Sequence, residues 1–146
     1  MLPVVVGAAV WEFLWWAERR NARQRMYGEA MARAQQLGRP LVVVGAPDGG
    51  VTAGYGCGDV TVDIQGSSCP VSMAANVCEH LPFEDDSAVV FISCVLEYVS
   101  DADAAMRELL RVSGGQLYLV RVEPWTFTAY LYPGARRTYS RNIAAP

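Results

Sequence analysis

The chain reads as an α/β protein, a mostly parallel sheet preceded by one long N-terminal helix. Three stretches predict this. Residues 88–92, Ala-Val-Val-Phe-Ile, form an apolar run dense in β-branched and aromatic side chains between turn signals, as a buried strand does. A helical pattern follows from about Asp101 to Val112, stops at Gly114-Gly115, and gives way to a second apolar stretch, Gln116–Val122. Strand, polar loop, helix, glycine stop and strand make a βαβ unit. Upstream, Leu41-Val42-Val43-Val44 is continuously apolar, as a central parallel strand covered on both faces should be.

Composition bounds the rest. With 146 residues there is room for one domain with a real core. At 52% hydrophobic and 18% charged, the chain as a whole is not of the disordered type. The net charge of −3 gives no reason to expect nucleic acid. All 12 basic residues are Arg. Residues 1–39 hold six Arg against three Glu, residues 40–124 three Arg against twelve acids, and residues 125–146 three Arg and no acid. Three segments are expected: an anchor helix and stalk (1–39), a folded domain (40–134) and a basic tail (135–146). The four cysteines, Cys57, Cys69, Cys78 and Cys94, include no C-x-x-C pair, and the single histidine, His80, cannot complete a closely spaced zinc set. No metal is expected. Reduced thiols are the default; a bridge between the loop residues Cys57 and Cys69 stays open.

Taken in order, residues 2–17 are apolar except for Glu12, slightly short of the ~17–25 residues that a spanning helix needs. Trp11, Trp15 and Trp16 precede Glu18-Arg19-Arg20, the aromatic-then-basic order of a membrane interface. No positive charge precedes the run and no small-x-small site follows, which argues against a cleaved leader. The expected partner is a membrane or, alternatively, a protein helix. The Arg flank would hold the domain on the cytoplasmic side. Residues 18–37 continue the helix with good helix formers, and Met26, Ala30, Ala34 and Leu37 recur on one face. Gly38 and Pro40 end it.

After the 41–44 strand, five glycines between 49 and 58 argue for a wound loop and against a helix. Asp59–Ile64 alternates like a strand, with Asp63 near its end; Met73–Cys78 is a short third strand or extended segment. Ser100 or Asp101 caps the later helix, whose apolar face is Ala105, Leu109 and Val112 with Met106 and Leu110. Thr126–Tyr132 can add an antiparallel edge strand.

Taken together, Leu41–Gly50, Asp63, Glu79-His80-Leu81-Pro82-Phe83, Ala88–Asp101 and Arg107–Gly115 resemble the class I S-adenosylmethionine (SAM) methyltransferases. The small-molecule, type 11-like group is the nearest in pattern, and the resemblance covers about residues 41–123. It implies a reduced Rossmann-like methyltransferase sheet with SAM over the C-terminal strand ends. It also implies site residues. Gly45, Asp48 and Gly49 map to the loop around the methionine part, and Asp63 to the acid on the ribose hydroxyls, 18 residues beyond Gly45. Cys78, Glu79 and His80 map to the adenine border, and Ser93 and Cys94 to the floor beneath the cofactor. No catalytic residue is singled out, because methyl transfer from a sulfonium is an in-line displacement helped mainly by positioning.

Two functions are expected from this. One is a membrane-tethered SAM-dependent methyltransferase with a small or lipid-like substrate. The other is a catalytically inactive domain of the same fold, used as a structural or membrane-linking subunit of a larger assembly such as a virus particle or membrane complex. Tyr55 and Tyr98 are candidates to border a pocket. His80 is more simply read as a loop-capping residue, and Glu84, Asp85 and Asp86 as a solvated turn.

Overall fold

The computed structural model describes residues 1–47 and 53–121. In chain order the elements are α1 (Leu2–Leu37), β1 (Leu41–Val44), β2 (Val60–Asp63), β3 (Ser72–Ala74), β4 (Val89–Ser93), α2 (Ala102–Ser113) and β5 (Leu117–Val120). The sheet order is β3-β2-β1-β4-β5 and every pairing is parallel. This is the reduced Rossmann-like fold with a long N-terminal helix that the sequence predicts. The expected antiparallel strand at 126–132 and the basic tail at 135–146 lie outside the described residues.

Each face of the sheet has its own cover. Alternate strand residues point to opposite sides. Val42, Val44, Val62, Val90, Ile92 and Leu117 pack with Ala105, Leu109 and Val112 of α2. Leu41, Val43, Val89, Phe91, Tyr118 and Val120 pack with Ala30 and Ala34 of α1. The two small alanines, both buried, let α1 lie close on the strands. Leu37, expected on that face, is exposed because the helix ends at its left-handed Gly38 cap. At α2, Asp101 Oδ1 accepts from the Ala104 amide at 2.9 Å, and left-handed Gly114 closes the other end.

Two expectations change here. α1 begins at Leu2, with a proline in its first turn where no amide partner is lost, yet among the described residues no helix is long and apolar enough to cross a membrane. Glu12, Glu18, Arg19 and Arg20 interrupt the apolar run too soon. Cys57 and Cys69 form a disulfide, so the default of reduced thiols fails for this pair; Cys78 and Cys94 are free. The reason is topological. β2 and β3 are parallel neighbours paired from Thr61↔Ser72, so the segments entering them start side by side. Cys57 and Cys69 each stand three residues before a strand, and their Cα atoms are 5.7 Å apart.

Candidate functional site

β1 sits between β2 and β4, and Tyr55 in the described part of its connection to β2 lies on the α1 face, while the connection from β4 to β5 runs through α2 on the other. Chains diverging from adjacent strand ends leave a crevice between them, the expected ligand position in an open parallel sheet. A cavity of about 710 Å³ lies there. That volume falls within the roughly 300–1,000 Å³ of small-molecule sites.

Gly45 follows β1 and lines the cavity. Its φ is +98°, its amide donates to Val62 O at 2.8 Å, and a Cβ would stand 2.8 Å from Val95 Cγ2 and 3.7 Å from Ser93 O. Conformation and space both require glycine. Asp48 and Gly49, the other two residues assigned to this loop, lie outside the described residues. Asp63 ends β2 at the cavity wall. Its Oδ2 accepts from the Ala46 amide at 3.2 Å and its Oδ1 from the Gln65 amide at 2.9 Å. Each carboxylate oxygen has two acceptor sites, so both retain capacity for a ligand hydroxyl.

Ser93 and Cys94 form the floor at the end of β4. Arg23 of α1 reaches both, with Nε donating to Ser93 Oγ at 2.9 Å and an Nη to Cys94 Sγ at 3.2 Å. Burial, reinforced by Glu97, pushes the Cys94 thiol above its ordinary pKa, while Arg23 opposes the shift. The thiol is therefore held protonated and is a poor nucleophile.

Cys78, Glu79 and His80 stand outside the cavity lining. Asn76 Oδ1 accepts from the Cys78 amide at 3.0 Å and turns the chain there. Cys78 Sγ then donates to Asp101 O at 3.3 Å, and exposed Glu79 accepts from Asn76 Nδ2. The His80 side chain is 75% exposed, with Nδ1 3.5 Å from Glu108 Oε1. Asn76 and Val77, just before the assigned positions, line the cavity instead. The Asn-x-Cys turn was the available signal for that offset. Tyr55 and Tyr98 both border the cavity. Nothing in the sequence marks Arg23 as a floor residue, since its role requires the direction of α1 across the sheet.

The Leu81-Pro82-Phe83 loop is clamped by α2. Glu108 Oε1 accepts from the Leu81 amide at 2.7 Å, and Arg111 donates to Phe83 O at 2.9 Å and Leu81 O at 3.1 Å. Arg111 also pairs with Glu108 and Asp85. The hydrogen bond from Arg111 is the main cause that holds the Glu108 carboxyl below its usual range, and those two carboxylates raise Arg111 further.

Residues 56–119 match the family model for a methyltransferase domain. That stretch runs from the end of the β1–β2 connection into β5 and includes Asp63, the clamped loop, the cavity floor and α2. The match and the parallel sheet together support a class I SAM-dependent methyltransferase-like relationship. No curated protein and no solved structure matches the chain.

The described residues of this methyltransferase-like site fit SAM. The close approach at Gly45 leaves backbone where a side chain would intrude, Asp63 retains acceptor capacity, and the volume suits a nucleoside-sized ligand. Among the described residues no cluster of His, Cys, Asp and Glu is suited to a metal.

Proposed function

We propose that the chain is a SAM-dependent methyltransferase-like protein acting on a small or lipid-like substrate, with residues 2–17 holding it to a membrane or a partner helix. The observation that carries this is the cavity at the diverging strand ends, with Gly45 on one side and Asp63 on the other. Bound SAM supplies an electrophilic methyl group. Asp63 then binds the ribose hydroxyls, Gly45 and its neighbours take the methionine part, and Asn76 and Val77 border the base. Ser93, fixed by Arg23, holds the floor in one geometry, the contribution an in-line displacement needs most.

Calorimetry of the full-length protein in detergent tests this. Micromolar to sub-millimolar SAM binding is expected, weakened about 10- to 100-fold by Asp63→Ala, the loss of hydrogen bonds to a charged group. Asp63→Asn, which retains an acceptor for the Ala46 amide, separates ligand contact from loop support. No binding of the native protein at millimolar SAM overturns the reading.

Two observations favour a second reading. Residues 53–58, where a helix would otherwise cover the sheet, form an irregular segment, while the start of α1 exposes Val4, Phe13 and Leu14. A catalytically inactive methyltransferase-like domain used as a structural or membrane-linking subunit of a larger assembly accounts for both.

Two features bear on the side of the membrane, and they conflict. The Arg-rich flank of α1 favours the cytoplasmic side if the helix spans, whereas a Cys57–Cys69 bridge favours an oxidising compartment. A helix that does not span weakens the first argument. Thiol alkylation of the protein taken directly from cells decides between them.

A further inference from the structure

Arg23 grips two consecutive side chains, and a strand does not allow that. Its Nε donates to Ser93 Oγ at 2.9 Å and an Nη to Cys94 Sγ at 3.2 Å. Neighbouring side chains of a strand point to opposite faces of the sheet. Val89 and Phe91 of β4 pack on the α1 side, so Ser93, next in that alternation, faces α1 as well. Val90 and Ile92 pack on the α2 side, and an extended chain would send Cys94 there, away from Arg23. The backbone instead turns left-handed at Cys94, with φ +53°, and brings its thiol round to the same guanidinium.

This bend shapes the cavity. Immediately after it, the Tyr98 amide donates to Val95 O at 2.9 Å and closes a turn. Val95 is brought back over the end of β1, where its Cγ2 lies 2.8 Å from the place a Gly45 Cβ would occupy. Val95, Tyr98, Val99 and Ser100 all line the cavity. A left-handed backbone disfavours a residue with a Cβ by about 5- to 30-fold in population. Cys94 bears that cost where glycine would not. A guanidinium bonded to both side chains at once, which only the bent form permits, offsets it.

We infer that Arg23 is a positioning residue of the cavity: its two-point grip holds Cys94 left-handed, and the bend at Cys94 sets Val95–Ser100 over the site. Helix α1 is thereby part of the site, although it lies outside the family-matched residues 56–119. Resting on the methyltransferase-like reading, the ligand whose affinity follows the bend is SAM.

SAM calorimetry of the full-length chain tests this as a double-mutant cycle. Arg23→Met should weaken binding by about tenfold or more. Cys94→Gly removes the Cβ penalty, so the bend no longer needs a grip. In that background Arg23→Met should cost less than about threefold. Arg23→Lys, which has no planar fork, should fall between native and Arg23→Met, and it carries the same comparison if Arg23→Met unfolds. Rescue by glycine distinguishes positioning from packing. Equal losses in both backgrounds would make Arg23 a contact between α1 and the sheet only, and would overturn the proposal; so would native affinity in Arg23→Met. Hydrogen exchange without ligand reads the bend directly. The Tyr98 amide should exchange about tenfold faster in Arg23→Met but not when Cys94→Gly is added, while the Leu81 amide, held by Glu108, keeps its native rate and reports an intact fold. Unchanged Tyr98 exchange overturns the proposal whatever SAM does. Faster Tyr98 exchange in a chain whose native form binds no SAM overturns the cofactor reading and leaves the grip on the bend established.

Discussion

The two walls of the cavity are built in different ways. Residues 75–77 and 93–100 line one wall, and the chain between them is held away from the cavity by side chains of one nearby helix: Glu108 and Arg111 clamp the Leu81–Phe83 loop with hydrogen bonds of 2.7–3.1 Å. The wall contributed by the β1–β2 connection has no such helix in its described residues. Segment 53–58 crosses the α1 face and is held by distant partners. The Tyr55 ring centroid lies 5.1 Å from that of Phe91, Tyr27 Oη donates to Cys57 O at 2.7 Å, and Cys57 is bonded to Cys69. One wall rests on a short hydrogen-bonded module. The other rests on aromatic packing and a covalent staple.

This difference explains what was legible in the sequence. The strand at 89–93, its helix with the Asp101 cap, and the glycine stop are local patterns, and each was readable within a few residues. The places of Gly45 and Asp63 just after β1 and at the end of β2 were also readable, and both line the cavity; their assignment to a ligand came from the family resemblance. The staple was not readable, since it depends on β2 and β3 becoming parallel neighbours. Nor was Arg23, one Arg among several on a helix whose direction over the sheet the sequence does not state. Asn76 and Val77 were displaced from the assigned Cys78, Glu79 and His80 by a turn that starts only at Asn76.

The largest effect should come from the staple. Reduction, or Cys57→Ser with Cys69→Ser, should lower unfolding free energy by about 2–3 kcal/mol through loss of loop closure in the unfolded chain. Amide exchange should rise first at 53–58. Equal loosening of 81–86 would show that the two walls are one unit. Next is Arg111→Ala, expected to cost about 2 kcal/mol, because the Leu81 and Phe83 carbonyls lose their donor and Glu108 its counter-charge. Chemical denaturation measures it, and Arg111→Lys should recover only part, since one ammonium cannot reproduce the planar fork. Gly45→Ala follows, at about 1–2 kcal/mol for a side chain at positive φ. It should weaken SAM binding out of proportion to that cost, because the new Cβ meets Val95 at the cavity edge. Binding unchanged after this substitution would remove Gly45 from the site.

The smallest effect separates the walls by chemistry. The Glu108 carboxyl is held below its ordinary range in the folded chain, chiefly by its hydrogen bond from Arg111 and also by the Leu81 amide, with burial opposing. A group whose folded pKa is depressed stabilises the fold fully above its unfolded pKa, about 4.3 for Glu. That stabilisation fades as pH falls through the folded value, when protons bind the unfolded chain more readily than the native one. Below about pH 4.5 the clamped wall should therefore loosen, with Leu81 amide protection, corrected for intrinsic exchange, falling before that of Gly58. Glu108→Gln keeps an acceptor for the Leu81 amide but has no proton to take up, so it should flatten the acid limb. The Cys57–Cys69 staple has no equivalent titration, because the two cysteines are bonded to each other and do not ionise. If acid released both walls together, the hydrogen-bonded clamp would not be what distinguishes them, and the packing of Phe91 with Tyr27 and Tyr55 beneath the sheet would have to be the element they share.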